Sequence, residues 1–189
     1  MHRSWRVPIQ RCSAAAGILW LVGCSPKAER SGANAGSTSG PLTDAAAPLD
    51  DAAARSAEYP VGLGAVKRVT LADGKFYDST SHLSVTLLQT LPGDLDGDQA
   101  EDAVVLLGSS AGASGTFSHL VPVLNRGGQA VPGAATLLGD RILLQAISLA
   151  DRIVTVEMIT QGPRDPMCCP TQPVRQRYRL ERDSLVMLP

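Results

Sequence analysis

From Tyr59 onward the apolar residues come in short runs broken by turn chemistry, and this punctuation confines the chain to successive strands rather than long helices. Segments 66–71 and 75–77 flank Ala72-Asp73-Gly74, a hairpin signal because Asp and Gly tolerate positive φ. Further strands are expected at 83–91, 103–107, 117–124, 134–138, 142–149, 153–159, 174–180 and 184–188. In the segment 153–159, Val154, Val156 and Met158 alternate with Ile153, Thr155, Glu157 and Ile159, which puts one face on a core. No segment repeats at a fixed period, which disfavours a propeller or solenoid. The expectation is a mainly β domain spanning 59–189, an antiparallel sandwich or small barrel.

The amino terminus reads as a targeting segment. Arg3, Arg6 and Arg11 precede an apolar stretch from Ala14 to Val22 with no acid among them. That stretch is about half of the roughly 20 residues needed to span a bilayer, so cleavage is expected rather than a permanent span. Leu21-Val22-Gly23-Cys24 resembles the lipobox of bacterial lipoproteins. The resemblance implies that residues 1–23 are removed and that Cys24 is lipidated and becomes the first residue, with its amino group acylated too. Several buried chains at about 0.8 kcal/mol per methylene make such an anchor effectively permanent. Ser25 stands where Asp would signal inner-membrane retention. The resemblance therefore implies the periplasmic face of the outer membrane in a Gram-negative source, and otherwise the outer face of the cell membrane.

Residues 24–58 read as a tether. Beyond Cys24 they are mostly Ala, Ser, Gly, Pro and Asp, with Leu42 and Leu49 as the large apolar residues, too few to bury a core. A flexible coil of this length spans on the order of 30 Å. The Ala-rich part around 44–57 has the composition of a transient helix.

Between two expected strands lies Gly93-Asp94-Leu95-Asp96-Gly97-Asp98-Gln99-Ala100-Glu101-Asp102. Carboxylates at alternate positions of a tight turn converge on one hard cation, and a backbone carbonyl adds a further oxygen. The run resembles the calcium loops of integrin-type and other extracellular β-repeats, D-x-D-G-D-G-x-x-D. The resemblance implies Asp94, Asp96, Asp98 and Asp102 as side-chain ligands of Ca2+, with the Ala100 carbonyl beside them. Gln99 takes the place of the usual Gly. The loop is not an EF-hand, since Val105 stands where the bidentate Glu belongs. The competing reading is a solvated acidic turn whose Asp and Gly residues cap the strands.

Signal removal deletes Cys12 and lipidation consumes Cys24, which leaves Cys168 and Cys169 as the remaining thiols in an oxidising compartment. They form a vicinal disulfide across a distorted or cis peptide, stay as two buried thiols, or crosslink to another chain; a structural bridge or thiol pair is the leading expectation. C-x-x-C is absent, so thioredoxin-like chemistry has no support.

Gly108-Ser109-Ser110-Ala111-Gly112 fits G-x-S-x-G, yet Ala113-Ser114-Gly115-Thr116 reads as loop where a helix should begin, so Ser110 is expected in a flexible Gly/Ser loop. His82 and His119 match no metal or catalytic motif, and no catalytic residue is assigned. Arg175, Arg177 and Arg179 alternate on one strand face, as solvated faces do, and suit an acidic partner or shielding of the acidic loop. A net charge of -1, a pI near 6.3 and 4% aromatic residues exclude the basic, stacking surface of a nucleic-acid binder.

The motifs at 93–107, 114–117, 138–141 and 165–172, the last Asp-Pro-Met-Cys-Cys-Pro-Thr-Gln, together resemble a group of uncharacterised bacterial lipoproteins and secreted proteins. That group brings no activity with it. The leading expectation is a non-enzymatic, lipid-anchored envelope protein whose domain binds another envelope component or the cell wall. The alternatives are an envelope hydrolase and a redox-responsive module using Cys168 and Cys169.

Overall fold

The fold is described from a computed structural model over residues 49–62, 66–112 and 115–189, all within one compact unit, Thr43–Pro189. The targeting segment, Cys24 and the tether up to residue 48 lie outside the described residues.

The chain is mainly β, with a single short helix among the described residues. Strands β3 (Lys75–Asp78), β4 (Leu83–Gly93), β5 (Asp102–Ala111), β6 (Phe117–Arg126) and β7 (Gln129–Pro132) follow one another as an antiparallel meander. Strand β8 (Thr136–Asp140) shares the outer edge of β6 with β7, one on each half. At Arg141, held at φ 50, the chain leaves this sheet and enters a second one. That sheet is a four-stranded meander of β9 (Leu143–Ala150), β10 (Ile153–Thr160), β11 (Gln172–Glu181) and β12 (Ser184–Met187). Both sheets are open, so of the two architectures expected the barrel is excluded.

Strand β5 explains the layering. It is buried without a break from Asp102 to Ser109, because each of its faces meets a different core. Ala103, Val105 and Leu107 join Val121 and Val123 of β6 under a cover made by Tyr59, Val61, Val69 and Leu71. Val104 and Leu106 join Leu120 of β6 and Val154, Val156, Met158 and Tyr178 of the second sheet. The pleat sends successive side chains to opposite faces, so a continuous apolar run is what a strand buried on both faces requires.

The folded unit begins before Tyr59. Asp50 caps helix α1 (Asp51–Arg55) by accepting the Ala52 N–H, and Ala54 is fully buried in the first core. The Tyr59 hydroxyl donates to the Ala54 carbonyl at 2.7 Å, and β1 (Glu58–Tyr59) pairs with β2 (Val69–Thr70). Residues 49–58, read from composition as tether, dock because small alanines pack closely where larger side chains already supply the apolar surface.

Candidate functional site

The acidic loop joins β4 to β5, whose ends pair at Gly93 and Asp102. Its turn is built by the carboxylates themselves. Asp94 accepts the N–H groups of Gly97 at 2.6 Å and Gln99 at 3.3 Å, Asp96 that of Asp98 at 3.1 Å, and Asp98 that of Ala100 at 2.8 Å. Gly97 sits at φ 89 and Gln99 at φ 69, so Gln99 adopts the left-handed conformation for which the repeat pattern uses Gly. The bend forms despite the substitution, and buried Ala100 closes it.

Asp102 differs from the other three acids. Its side chain is fully buried and accepts two backbone N–H groups, Leu95 at 2.9 Å and Asn125 at 2.8 Å. Burial pushes its carboxyl above the usual range; those two N–H groups oppose the shift, and the charges of Asp96 and Asp98 add to it. One carboxylate oxygen from each of Asp94, Asp96, Asp98 and Asp102 lies within 4.8 Å of the others, a cluster with the geometry to hold a metal ion. The four side-chain ligands expected from the sequence therefore converge.

A residue that sequence reasoning missed already balances part of this charge. Arg126, at the end of β6, places one guanidinium nitrogen 2.9 Å from Asp96 and 3.2 Å from Asp98. Asn125, beside it, donates from its side-chain amide to the Glu101 carbonyl at 3.2 Å, which ties the loop to the β6 end.

Cys168 and Cys169 are bonded to each other in the connection between β10 and β11, and both are exposed. Of the three alternatives the geometry is that of the vicinal disulfide, and the exposure of both residues does not fit a buried thiol pair. No peptide bond among the described residues is cis, so the ring closes across a trans peptide. Asp165 organises the connection by accepting the N–H groups of Gly162 and Thr171 and the Thr171 hydroxyl, which hold its carboxyl below the ordinary range.

Ser110 is not in a loop. Gly108 to Ala111 extend β5, with Ser110 opposite Ser84 of β4, where a nucleophile elbow would need a sharp strand-to-helix turn. Pairing with β4 overrides the Gly/Ser composition. The neighbour Ser109 is the serine that meets a histidine: its Oγ shares a 2.9 Å hydrogen bond with Nε2 of His119 across the β5–β6 ladder. Alternation then turns Ser110 to the opposite face. Ser109 and His119 border a cavity of about 190 Å³ beside Phe117 and Leu137, and burial lowers the His119 pKa. His82 lies in the turn between β3 and β4, against Gly112.

Arg175, Arg177 and Arg179 do share the outer face of β11, opposite Glu157, Thr155 and Ile153. Arg175 reaches Glu157 at 3.5 Å. Comparison with protein families, with curated proteins and with solved structures finds no match to this chain.

Proposed function

We propose that the chain is a lipid-anchored envelope protein whose β domain is a non-enzymatic binding module with a calcium-stabilised acidic loop. The observation that carries the anchoring is Leu21-Val22-Gly23-Cys24 at the end of a basic and then apolar leader. Labelled palmitate is expected to enter the wild-type protein and not Cys24→Ala, which should also escape processing after Gly23; equal labelling of both would sink this reading. The calcium assignment is supported by the convergence of four carboxylates and by their all-oxygen chemistry, which suits a hard cation.

The hydrolase alternative is favoured by one contact, Ser109 to His119. In it His119 would act as the base and Ser109 as the nucleophile. It lacks an orienting acid, since no carboxylate among the described residues bonds the His119 ring. The binding-module reading expects no reaction with a fluorophosphonate probe. Stoichiometric labelling lost in Ser109→Ala, but retained in Ser110→Ala, would favour the enzyme instead.

A further inference from the structure

We propose that a cleft at the turn end of the four-stranded sheet binds a phosphate-type oxyanion through Arg152, Arg179 and Arg182. The cleft measures about 500 Å³, and these three arginines line it together with Asp96, Asp151 and Leu180. The β9–β10 hairpin closes through Asp151 at φ 52 and Arg152 at φ 60, a two-residue turn with both residues left-handed. The β11–β12 hairpin closes through Arg182, also at φ 60, and Asp183. Arg179 sits one pair in from the first turn, opposite Ile153. Gly and Asn occupy left-handed positions at little cost, whereas long side chains rarely do. Two arginines in such positions, at the same end of one sheet, place long cationic side chains where turn chemistry favours Gly or Asn, and both line the cleft.

The charge of these arginines is not used within the domain. Arg55, Arg68, Arg126, Arg141 and Arg175 each meet a carboxylate, but the side chains of Arg152, Arg179 and Arg182 make no ion pair or hydrogen bond among the described residues. Asp96, the acid on the loop side of the cleft, shares Arg126 with Asp98. Three guanidiniums thus face Asp151 and a partly neutralised Asp96, which leaves an excess of positive charge. Arg152 lies against the Gly97 backbone, so close that a Cβ at Gly97 would come within 2.7 Å of its Nη1. The loop therefore restrains this guanidinium by contact without neutralising it. Guanidinium forks pair with oxyanions through two parallel hydrogen bonds, and several of them around one cleft suit a multiply charged phosphate better than a single carboxylate.

The inference uses neither the lipid anchor nor calcium, so its failure would leave palmitate labelling and calcium-dependent melting unaffected. The test is titration calorimetry of the full-length chain in maltoside micelles. Its probes are inorganic pyrophosphate and dihexanoyl phosphatidic acid, with dihexanoyl phosphatidylcholine as control. Saturable binding of pyrophosphate assigns the cleft to a soluble phosphate; binding of the phosphatidic acid alone assigns it to a lipid headgroup. Arg152→Asn and Arg182→Asn should each weaken binding about tenfold, the scale of one charge-assisted hydrogen bond, while melting no lower than the wild type because Asn suits the turn. Arg175→Gln should bind unchanged. Failure of both phosphate probes to saturate, equal binding of the phosphatidylcholine, or Asn variants that bind as tightly as the wild type would overturn the proposal.

Discussion

The buried carboxylate of Asp102 accepts the backbone N–H of Asn125 at 2.8 Å, joining the start of β5 to the end of β6 across 23 residues of sequence. With its second oxygen it holds Leu95, so one side chain pins the acidic loop to two strands. Asp102→Ala leaves both N–H groups without their acceptor and should cost about 2–4 kcal/mol in urea unfolding in calcium-free buffer. Asp102→Asn keeps an acceptor and removes the repulsion from Asp96 and Asp98, so it should cost clearly less than Asp102→Ala.

Four carboxylates in an extracellular-type loop imply a calcium dissociation constant on the order of 0.1 to 1 mM. At 10 mM calcium the wild type should gain roughly 1.4 to 2.7 kcal/mol by mass action. Asp96→Ala combined with Asp98→Ala should abolish that gain, read as melting temperature with and without chelator. Because Arg126 competes with a cation for Asp96 and Asp98, Arg126→Gln should bind calcium about two- to fivefold more tightly, the range of a partly exposed ion pair. Calcium-independent melting of the wild type would leave the solvated-turn reading standing.

The first core predicts its own sensitivity. Leu107 is fully buried in β5, and Leu107→Ala should cost about 2–5 kcal/mol. Leu143, at the start of β9 and 50% exposed, should change stability by no more than about 0.5 kcal/mol on substitution by Ala. Chemical denaturation of the two variants side by side checks the contrast.

His119 makes stability depend on pH. Burial lowers its pKa below the ordinary 6.5, so between that lowered value and 6.5 the unfolded chain binds the proton more readily than the folded one. Its contribution is fully present above 6.5 and is lost as pH falls through the window beneath. The wild type should therefore lose more stability than His119→Gln on acidification from pH 7 to pH 5, measured by urea midpoints.

Most strands were legible because alternation and turn residues coincide. Residues 153–159, read as a strand, are the body of β10, with the expected inward face of Val154, Val156 and Met158. Strand β7 was missed because a four-residue strand ending in Pro132 carries little pattern; a helix within 44–57 was expected only as a transient one, and the docking of α1 on the first core went unread because alanines are weak markers of burial. The convergence of the acidic loop was legible from residue type and spacing within ten positions. The contacts of Arg126 with that loop and of His119 with Ser109 depend on strand register, which local sequence does not carry.

Each sheet is drawn from one uninterrupted stretch of chain, with the meander of the first complete before the second begins. A ribosome or an export channel delivers the chain in that same order. Until β10 and β11 emerge, Val104, Leu106 and Leu120 form a finished but uncovered apolar surface. The half-delivered protein is thus its most adhesive form, and the interval between the two meanders is when a holding chaperone would matter most.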